Sequence, residues 1–167
     1  IARFRRRFGM SFQEGALFDS MSVEDNIAFP LRRAELKRDE IESRVEECLG
    51  LVRLEGVAKK MPAQLSGGMR RRVGFARAIA LKPDILLFDE PNTGLDPVNK
   101  AVIDELIVDM RKDLGSTTVT ITHDMRSAFR IADRVAMLHQ GRIVAIAPPD
   151  EFRQLDDPRV QQFIHGL

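Results

Sequence analysis

Two spacings of apolar residues divide this chain of 167 residues into predicted helices and strands. Apolar positions three and four residues apart share one face of a helix, whereas short apolar or alternating runs are typical of strands. The helical spacing predicts helices over about 22–31, 39–52, 66–82, 98–114 and 125–132. The strand patterns fall within 3–13 and over 85–88, 117–122, 134–139 and 142–146.

Residues with strong local preferences mark the ends of several of these elements. We expect Pro30 to close the first helix, because proline disrupts a helix interior. We expect Asp39 and Ser66 to cap the helices that follow them. Gln140-Gly141 predicts a tight hairpin turn between the last two strands. The tail predicts one or two short helices, with a break at Asp157-Pro158.

The order of these elements predicts an α/β fold. Strands and helices alternate after residue 84, which favours a mostly parallel sheet. The stretch of about 18–64 contains no predicted strand, and we expect it to form an inserted α-helical subdomain. Residues 65–147 would then carry the rest of the core, and residues 148–167 the C-terminal helices.

Composition excludes several classes of protein. A formal net charge of +1 gives no whole-protein case for nucleic acid, and no apolar stretch approaches the roughly 20 residues that span a bilayer. Cys48 is the only cysteine, so an internal disulfide is impossible and a reducing compartment is expected. The basic cluster Arg3–Arg7 is interleaved with Phe4 and Phe8, which is typical of a solvated strand face or a subunit contact.

Candidate chemistry concentrates at the end of the strand 85–88. The stretch "ILLFDEPNTGLDP" runs from four apolar residues into the adjacent carboxylates of Asp89 and Glu90. Two such carboxylates repel each other unless a cation or a polar ligand shares the site. They are suited to the Mg²⁺ end of a nucleotide site, where Asp89 holds the metal and Glu90 acts on the attacking water. The alternative is a strand that ends in two exposed acids.

The segment "LSGGM" has the features of a phosphate-binding helix start. Ser66 is a favoured cap, and Gly67-Gly68 leave backbone N–H groups uncovered, which attracts phosphate. A plain capped helix with a tight turn is the alternative interpretation. Arg70–Arg72 follow, and they either add positive potential or form a charged helix face.

Two single residues complete the set of candidates. His123 follows the strand 117–122, which would end at the same sheet edge as Glu90 if the two strands are parallel. There it can hydrogen-bond a phosphate oxygen, although a lone histidine is more often structural. Gln13 lies where a strand gives way to a loop, and by itself it carries almost no signal.

Together and in this order, these segments resemble the nucleotide-binding domain of ABC ATPases over essentially the whole chain. Gln13 matches that family's Q-loop, "LSGGM" its signature motif, "ILLFDE" its Walker B strand with the following glutamate, "TGLD" its D-loop and His123 its switch histidine. The stretches "FQEGALFDSMSVEDNIAFPLR" and "DDPRVQQFIHGL" are similar to the ATPase subunits of Mla-type systems. Those systems work with MCE proteins and move phospholipids between the membranes of diderm bacteria.

The resemblance implies a P-loop NTPase-type sheet that binds ATP and Mg²⁺. Asp89 would coordinate Mg²⁺ through water, and Glu90 would be the general base. Gln13 would contact both the metal and the attacking water, and His123 would hold the γ-phosphate. Two departures leave these groups intact: Met69 stands where many signature motifs have glutamine, and Thr93-Gly94 replace the commoner Ser-Ala.

The resemblance also implies partners. Ser66, Gly67 and Gly68 would contact ATP bound by the second subunit of a head-to-tail homodimer, with Asp96 at the same interface. An integral membrane permease and an MCE-type substrate-binding protein are the other implied partners, and nucleic acid is not among them. The stretch Glu14–Phe29 would face the cleft that receives a coupling helix of the permease. The subunit would lie on the cytoplasmic face of the inner membrane.

One required motif is absent from the sequence. A phosphate cradle needs G-x-x-x-x-G-K-[ST], but "GSTT" at Gly115 lacks the lysine and "GLDPVNK" lacks the second glycine. In the family this Walker A motif lies upstream of the Q-loop. Because the chain opens at Ile1 without methionine, we expect a fragment of a longer ATPase that lacks the early strands and the Walker A helix. Such a fragment would be inactive alone.

Other interpretations remain open. The ATPases of amino-acid importers and of the cell-division type share these motifs. Non-transport ABC ATPases of DNA repair or chromosome organisation insert coiled-coil arms between Q-loop and signature motif, and no heptads occur between Gln13 and Ser66. A module that has lost catalysis is a further possibility, against which the presence of Glu90 and His123 speaks only weakly.

Overall fold

The computed structural model describes residues 4, 6–13 and 15–165. Its contacts divide the chain into two compact units, Ile1–Thr122 and His123–Leu167. The strands are β1 (Phe8–Ser11), β2 (Ile85–Asp89), β3 (Thr117–Ile121), β4 (Val135–His139) and β5 (Arg142–Ala147). The helices are α1 (Val23–Arg33), α2 (Arg38–Leu51), α3 (Gly67–Ile79), α4 (Pro97–Leu114), α5 (Met125–Ile131), α6 (Pro149–Arg153) and α7 (Pro158–His165), with a 3₁₀ turn at Pro62–Gln64.

The first unit contains a three-stranded parallel sheet in the order β1-β2-β3. Ser11 pairs with Phe88, and Asp89 pairs with Ile121. The carboxyl ends of all three strands therefore meet at one edge of the sheet. The predicted mixed α/β fold with a mostly parallel sheet is confirmed.

Helix α3 covers one face of this sheet. Phe75 of α3 and Phe88 of β2 are both buried, and their rings meet edge to face with 4.8 Å between centroids. Helices α1 and α2 pack against α3 and against each other. Both lie within the stretch 18–64, and its assignment as a separate subdomain stays a prediction. Arg44 of α2 donates to the carbonyl oxygens of Ile79 (2.7 Å) and Ala80 (2.9 Å) at the end of α3. These bonds add donors to carbonyl oxygens at a helix end, where intrahelical amides are no longer available for all of them.

The opposite face of the sheet is partly uncovered. The register aligns Met10, Leu87 and Val119 across the three strands. Met10 is 42% exposed, Val119 47% and Ile121 60%. Large apolar side chains thus face outward on the edge strands of the described sheet.

The second unit is built on a hairpin. β4 and β5 pair antiparallel through Gln140-Gly141, which confirms the predicted turn. The unit's core consists of buried residues from the hairpin and the last two helices: Val135, Ala147, Phe152 and Val160. α7 begins after Asp157, whose side chain accepts a hydrogen bond from the Arg159 amide at 2.9 Å, so the predicted break in the tail is also confirmed.

The prediction that Pro30 closes the first helix is wrong. α1 continues through Pro30 to Arg33, and the Ala34 amide then donates to the carbonyls of Pro30 and Leu31. A proline in a helix removes one backbone hydrogen bond. Here the additional turn buries Leu31 almost completely, and this burial offsets the loss.

The prediction that Asp39 caps the second helix is also wrong. α2 begins at Arg38, so Asp39 lies inside its first turn. The Lys37 amide donates to the Glu40 carboxylate at 2.8 Å, and this side chain closes the helix start instead. An acid in the first turn still stabilises the helix through the dipole.

Part of the basic cluster at the start of the sequence lies outside the described residues, namely Arg3 and Arg5. Arg7 is exposed and pairs with Asp84 in the loop before β2. Within the described part of the chain, no helix combines the length and apolar character that crossing a membrane requires.

Candidate functional site

The carboxyl edge of the parallel sheet carries Asp89 and Glu90. Asp89 is the last residue of β2, and the Glu90 amide donates to the Ile121 carbonyl of β3 at 2.9 Å. Both acids are half-buried. Because Ser11 of β1 pairs with Phe88, the loop that contains Gln13 leaves the sheet at this same edge. Ligands of parallel α/β sheets bind at this edge.

Glu90 adopts an uncommon backbone conformation. Its φ of 46° lies in the left-handed region, which costs a residue with a side chain roughly 1–3 kcal/mol. Five other described residues with side chains share this conformation, so it does not by itself identify a functional site: Ala16, Glu35, Arg53, Lys82 and Gln140. The Thr93 hydroxyl donates to the Glu90 carboxylate at 2.8 Å. The departure at Thr93-Gly94 therefore keeps the hydroxyl, and Gly94, with a φ of 75°, suits the turn better than alanine would. Asn92 donates to Asp104 of α4 at 2.7 Å, and both are buried.

The segment "LSGGM" forms the start of α3 as the sequence predicts. Ser66 is the cap, and its hydroxyl accepts a hydrogen bond from the Met69 amide at 3.3 Å. Ser66 and Gly67 are exposed, and Gly68 is half-buried. No acidic residue lies in the first turn of this helix. An exposed helix start without acids is suited to an anion, because its N–H groups and dipole present positive charge.

Asp96 caps α4 and lies close to this segment. Its carboxylate accepts hydrogen bonds from the amides of Val98 (3.0 Å) and Asn99 (3.1 Å) and from the Asn99 side chain. These bonds, the Asn99 side chain first, lower the pKa of Asp96. A Cβ atom on Gly68 would lie 3.4 Å from Asn99 Oδ1. The structure therefore brings the Asp96 end of α4 alongside the start of α3 within one subunit.

His123 is the first residue of the second unit and is exposed. It immediately precedes Asp124, which caps α5 by accepting hydrogen bonds from the amides of Arg126 (3.1 Å) and Ser127 (3.2 Å). β2 and β3 are parallel, so β3 ends at the same edge of the sheet as β2, which carries Glu90 just beyond its last residue. The role of His123 next to Glu90 stays a prediction.

Sequence reasoning missed the part played by Arg71. This residue is 6% exposed, so neither a charged helix face nor added surface potential describes it. Its Nε donates to the Gln13 carbonyl at 2.8 Å, its Nη1 to Pro91 at 2.8 Å and its Nη2 to Thr93 at 2.9 Å. A signal was present in the sequence, because Arg71 lies four residues before the buried Phe75, on the same face of the helix.

A close backbone contact between α3 and the loop after β1 was also missed. A Cβ atom on Gly74 would lie 2.7 Å from the Gly15 Cα atom, and one on Gly15 would lie 2.8 Å from the Arg70 carbonyl oxygen. Arg77 donates to the Gly15 carbonyl at 2.9 Å. The two glycines let helix and loop meet without intervening side chains.

The site offers hard oxygen donors but no complete metal cage. Among residues 4, 6–13 and 15–165, no group of three or more acids, histidines or cysteines is placed to hold a metal ion. Mg²⁺ at nucleotide sites commonly takes one or two carboxylates and completes its shell with phosphate oxygens and water. Asp89 fits that requirement as the carboxylate supplied by the protein.

The fold and the motif geometry define the class of protein. Residues 1–93, more than half of the chain, match the family model described as ABC transporter. The chain belongs to the ABC transporter family, and the resemblance drawn from its motifs is confirmed.

Three relatives give this membership more detail. The chain is 44% identical over 167 residues to the probable ribonucleotide transport ATP-binding protein mkl of Mycobacterium tuberculosis, covering 99% of the chain and 46% of that protein. It is 44% identical over 164 residues to the intermembrane phospholipid transport system ATP-binding protein MlaF of Escherichia coli, covering 98% and 61%. It is 46% identical over 165 residues to the methionine import ATP-binding protein MetN of Xanthomonas campestris, covering 98% and 49%. The chain thus spans about half the length of the curated relatives it matches.

Proposed function

We propose that this chain is the catalytic part of an ATP-binding subunit of an ABC transporter, and that the parent protein hydrolyses ATP with Mg²⁺. The observation that carries the proposal is the pair of adjacent carboxylates, Asp89 and Glu90, at the carboxyl edge of a parallel sheet. The hydrogen bond from Thr93 fixes the direction of the Glu90 carboxylate. A carboxylate at this edge can accept a proton from a water molecule placed beside bound phosphate.

Each site residue has a role in the proposed reaction. Bound Mg²⁺ would neutralise charge that develops on the transferred phosphoryl group. Asp89 would hold the metal through water, and Gln13 would contact the metal and the attacking water. Glu90 accepts the proton of that water. His123 donates a hydrogen bond to the γ-phosphate.

The proposed unit of activity is a head-to-tail homodimer. Ser66, Gly67 and Gly68 at the start of α3 contact ATP held by the other subunit, and Asp96 reaches the same interface. The exposed start of α3 supports this proposal, and so does its closeness to the Asp96 end of α4.

The proposed cargo is phospholipid, moved between the inner and outer membranes with a permease and an MCE-type protein. The support is the 44% identity to a subunit named for intermembrane phospholipid transport. Import of an amino acid such as methionine is the second candidate, since the identity to a methionine import subunit is 46%.

The permease would bind beside Phe18, at the cytoplasmic face of the inner membrane. Phe18 is 41% exposed, and its ring lies 4.9 Å from the Phe29 ring and 5.5 Å from the Arg77 guanidinium. An apolar surface held in place in this way is suited to a helix of a partner protein. Cross-linking from Leu17 or Phe18 is expected to capture the permease, and repeated failure to do so would contradict this contact.

The test uses the proposed parent protein, which would contain a Walker A motif. Glu90→Gln should lower ATP turnover by ~100-fold or more and leave ATP binding intact. The side-chain amide of glutamine cannot accept a proton from water at neutral pH. Turnover that survives this change contradicts the assignment of Glu90. Reconstitution with the permease in vesicles then separates the cargoes: phospholipid movement supports the first candidate, and methionine uptake supports the second.

A further inference from the structure

One buried side chain connects three of the motif segments in the first unit. Arg71 lies in the second turn of α3, five residues after Ser66. Hydrogen bonds of 2.8–2.9 Å join its guanidinium to the backbone carbonyls of Gln13, Pro91 and Thr93. The first carbonyl belongs to the loop after β1, and the other two belong to the turn that follows Glu90.

The geometry explains why arginine suits this position. A guanidinium carries five N–H donors in a rigid planar fork, so one group can hold several acceptors in fixed directions. β1 and β2 are parallel neighbours, so their following loops leave the sheet at one edge, where the single fork reaches both. The loop after β1 also contacts α3 directly, where Gly15 lies against Gly74.

We propose that Arg71 is a positioning residue, which holds the Gln13 loop and the Glu90 turn in fixed register with the start of α3. The bonds end on main chain, so Arg71 fixes the backbone from which the two catalytic side chains project. Displacement of the signature segment Ser66–Gly68 is then transmitted to both loops through one group. This inference rests on the proposed ATPase function for its consequence, but its structural part is independent of that function.

Arg44 provides a matched control. It is also 6% exposed, and it also donates to two backbone carbonyls, those of Ile79 and Ala80. These carbonyls lie at the far end of α3, away from the loops that carry Gln13 and Glu90. Arg44→Met therefore removes two buried bonds, together with an ion pair to the exposed Glu47, without touching those loops.

Amide hydrogen exchange on the 167-residue chain tests the structural part. The probes are the amides of Gly15 and Leu95, which form hydrogen bonds within the two loops, each compared with amides of β2 in the same variant. In Arg71→Met both loops should exchange about tenfold faster or more relative to β2, because bonds from a charged donor are lost. Arg44→Met should leave that ratio unchanged. Arg71→Lys keeps one donor group without the planar fork, so its loop exchange rates relative to β2 should lie between those of wild type and Arg71→Met. It serves as the test variant if Arg71→Met does not fold.

Steady-state kinetics of the parent protein test the consequence. Arg71→Met should lower kcat by about tenfold or more, with KM for ATP within about threefold, because misplaced catalytic groups chiefly affect the chemical step. Arg71→Lys should recover part of kcat, and Arg44→Met should keep it.

The outcomes separate the two proposals. Loops that exchange at wild-type rates in both Arg71 variants overturn the inference. Loosened loops with unchanged kcat, in a protein that Glu90→Gln inactivates, overturn it as well. If Glu90→Gln leaves turnover intact, the proposed function fails, whereas loosened loops still support the structural part of the inference.

Discussion

Three consecutive arginines of α3 end in three different environments. Arg70 is exposed and donates back to the Leu65 carbonyl at 2.7 Å. Arg71 is buried and donates to two loops, whereas Arg72 donates to the Arg53 carbonyl at 3.0 Å. Successive residues point about 100° apart around a helix. Helical phase rather than residue type therefore decides which arginine serves the site.

Cys48 allows a test of burial at a single residue. Its thiol is buried in α2, and burial raises the pKa of Cys48 from 9.0 to about 11. The folded chain thus favours the protonated thiol more than the unfolded chain does. This contribution to stability is complete below pH 9 and is lost as the pH rises toward 11.

We expect the free energy of unfolding to fall by roughly 2 kcal/mol between pH 9 and 11 through Cys48 alone. Cys48→Ala serves as the reference, because it lacks this titration although it shares the other groups that change over the range. Urea denaturation of both chains at pH 8, 9, 10 and 11 measures the difference in slope. Parallel pH profiles for the two chains would contradict the assignment.

At the scale of elements, we expect substitution by alanine to have opposite effects on stability at two glycines that lie within helices. Glycine in a helix is less favourable than alanine by about 1 kcal/mol. An added Cβ atom meets nothing within 4 Å at Gly50 of α2, but at Gly74 of α3 it would lie 2.7 Å from the Gly15 Cα atom. Helix propensity decides at the first position, and backbone overlap decides at the second.

Gly50→Ala should therefore stabilise the chain by about 0.5–1 kcal/mol, and Gly74→Ala should destabilise it by about 1–3 kcal/mol. Thermal or urea denaturation of the two variants beside the parent chain measures both effects. The pair controls for helix propensity, because both glycines lie within helices. If Gly74→Ala were also stabilising, the close approach of α3 to the Gln13 loop would be wrong.

Periodicity predicted most elements because each buries one face. The spacing of Ile103, Leu106, Ile107 and Met110 predicted α4, and all four are buried. Effects that depend on another segment were not predictable in this way. Pro30 stays helical because of tertiary burial of the next turn, and Arg71 is defined by carbonyls of two loops distant in sequence.

The candidate site follows the same division. Asp89 and Glu90 were predictable because an apolar run ending in two acids is visible in the sequence, and the parallel register then places them at the carboxyl edge. The left-handed backbone of Glu90 and its hydrogen bond from Thr93 could not be predicted from the spacing of apolar residues. The approach of Asn99 to Gly68 likewise depends on tertiary packing.

At the scale of the whole molecule, the sequence has candidate catalytic residues but lacks the usual phosphate-binding motif. The sequence contains Asp89 and Glu90, the acids proposed to act on water, yet it has no G-x-x-x-x-G-K-[ST] segment. That motif holds phosphates with consecutive backbone N–H groups and a lysine, each bond to a charged group being worth about 1.5–3 kcal/mol. We therefore expect these 167 residues by themselves to bind ATP only weakly.

We predict that the 167-residue chain binds Mg²⁺-ATP at least ~100-fold more weakly than the parent protein, a difference of about 2.7 kcal/mol, and does not turn it over. Isothermal titration and phosphate release, with the parent protein as positive control, measure the two quantities. Weak binding that Ser66→Ala leaves unchanged fits the proposed dimer, in which the start of α3 contacts the other subunit's nucleotide. Turnover by the chain itself that Glu90→Gln abolishes would show instead that the catalytic edge of the sheet holds ATP without a phosphate cradle.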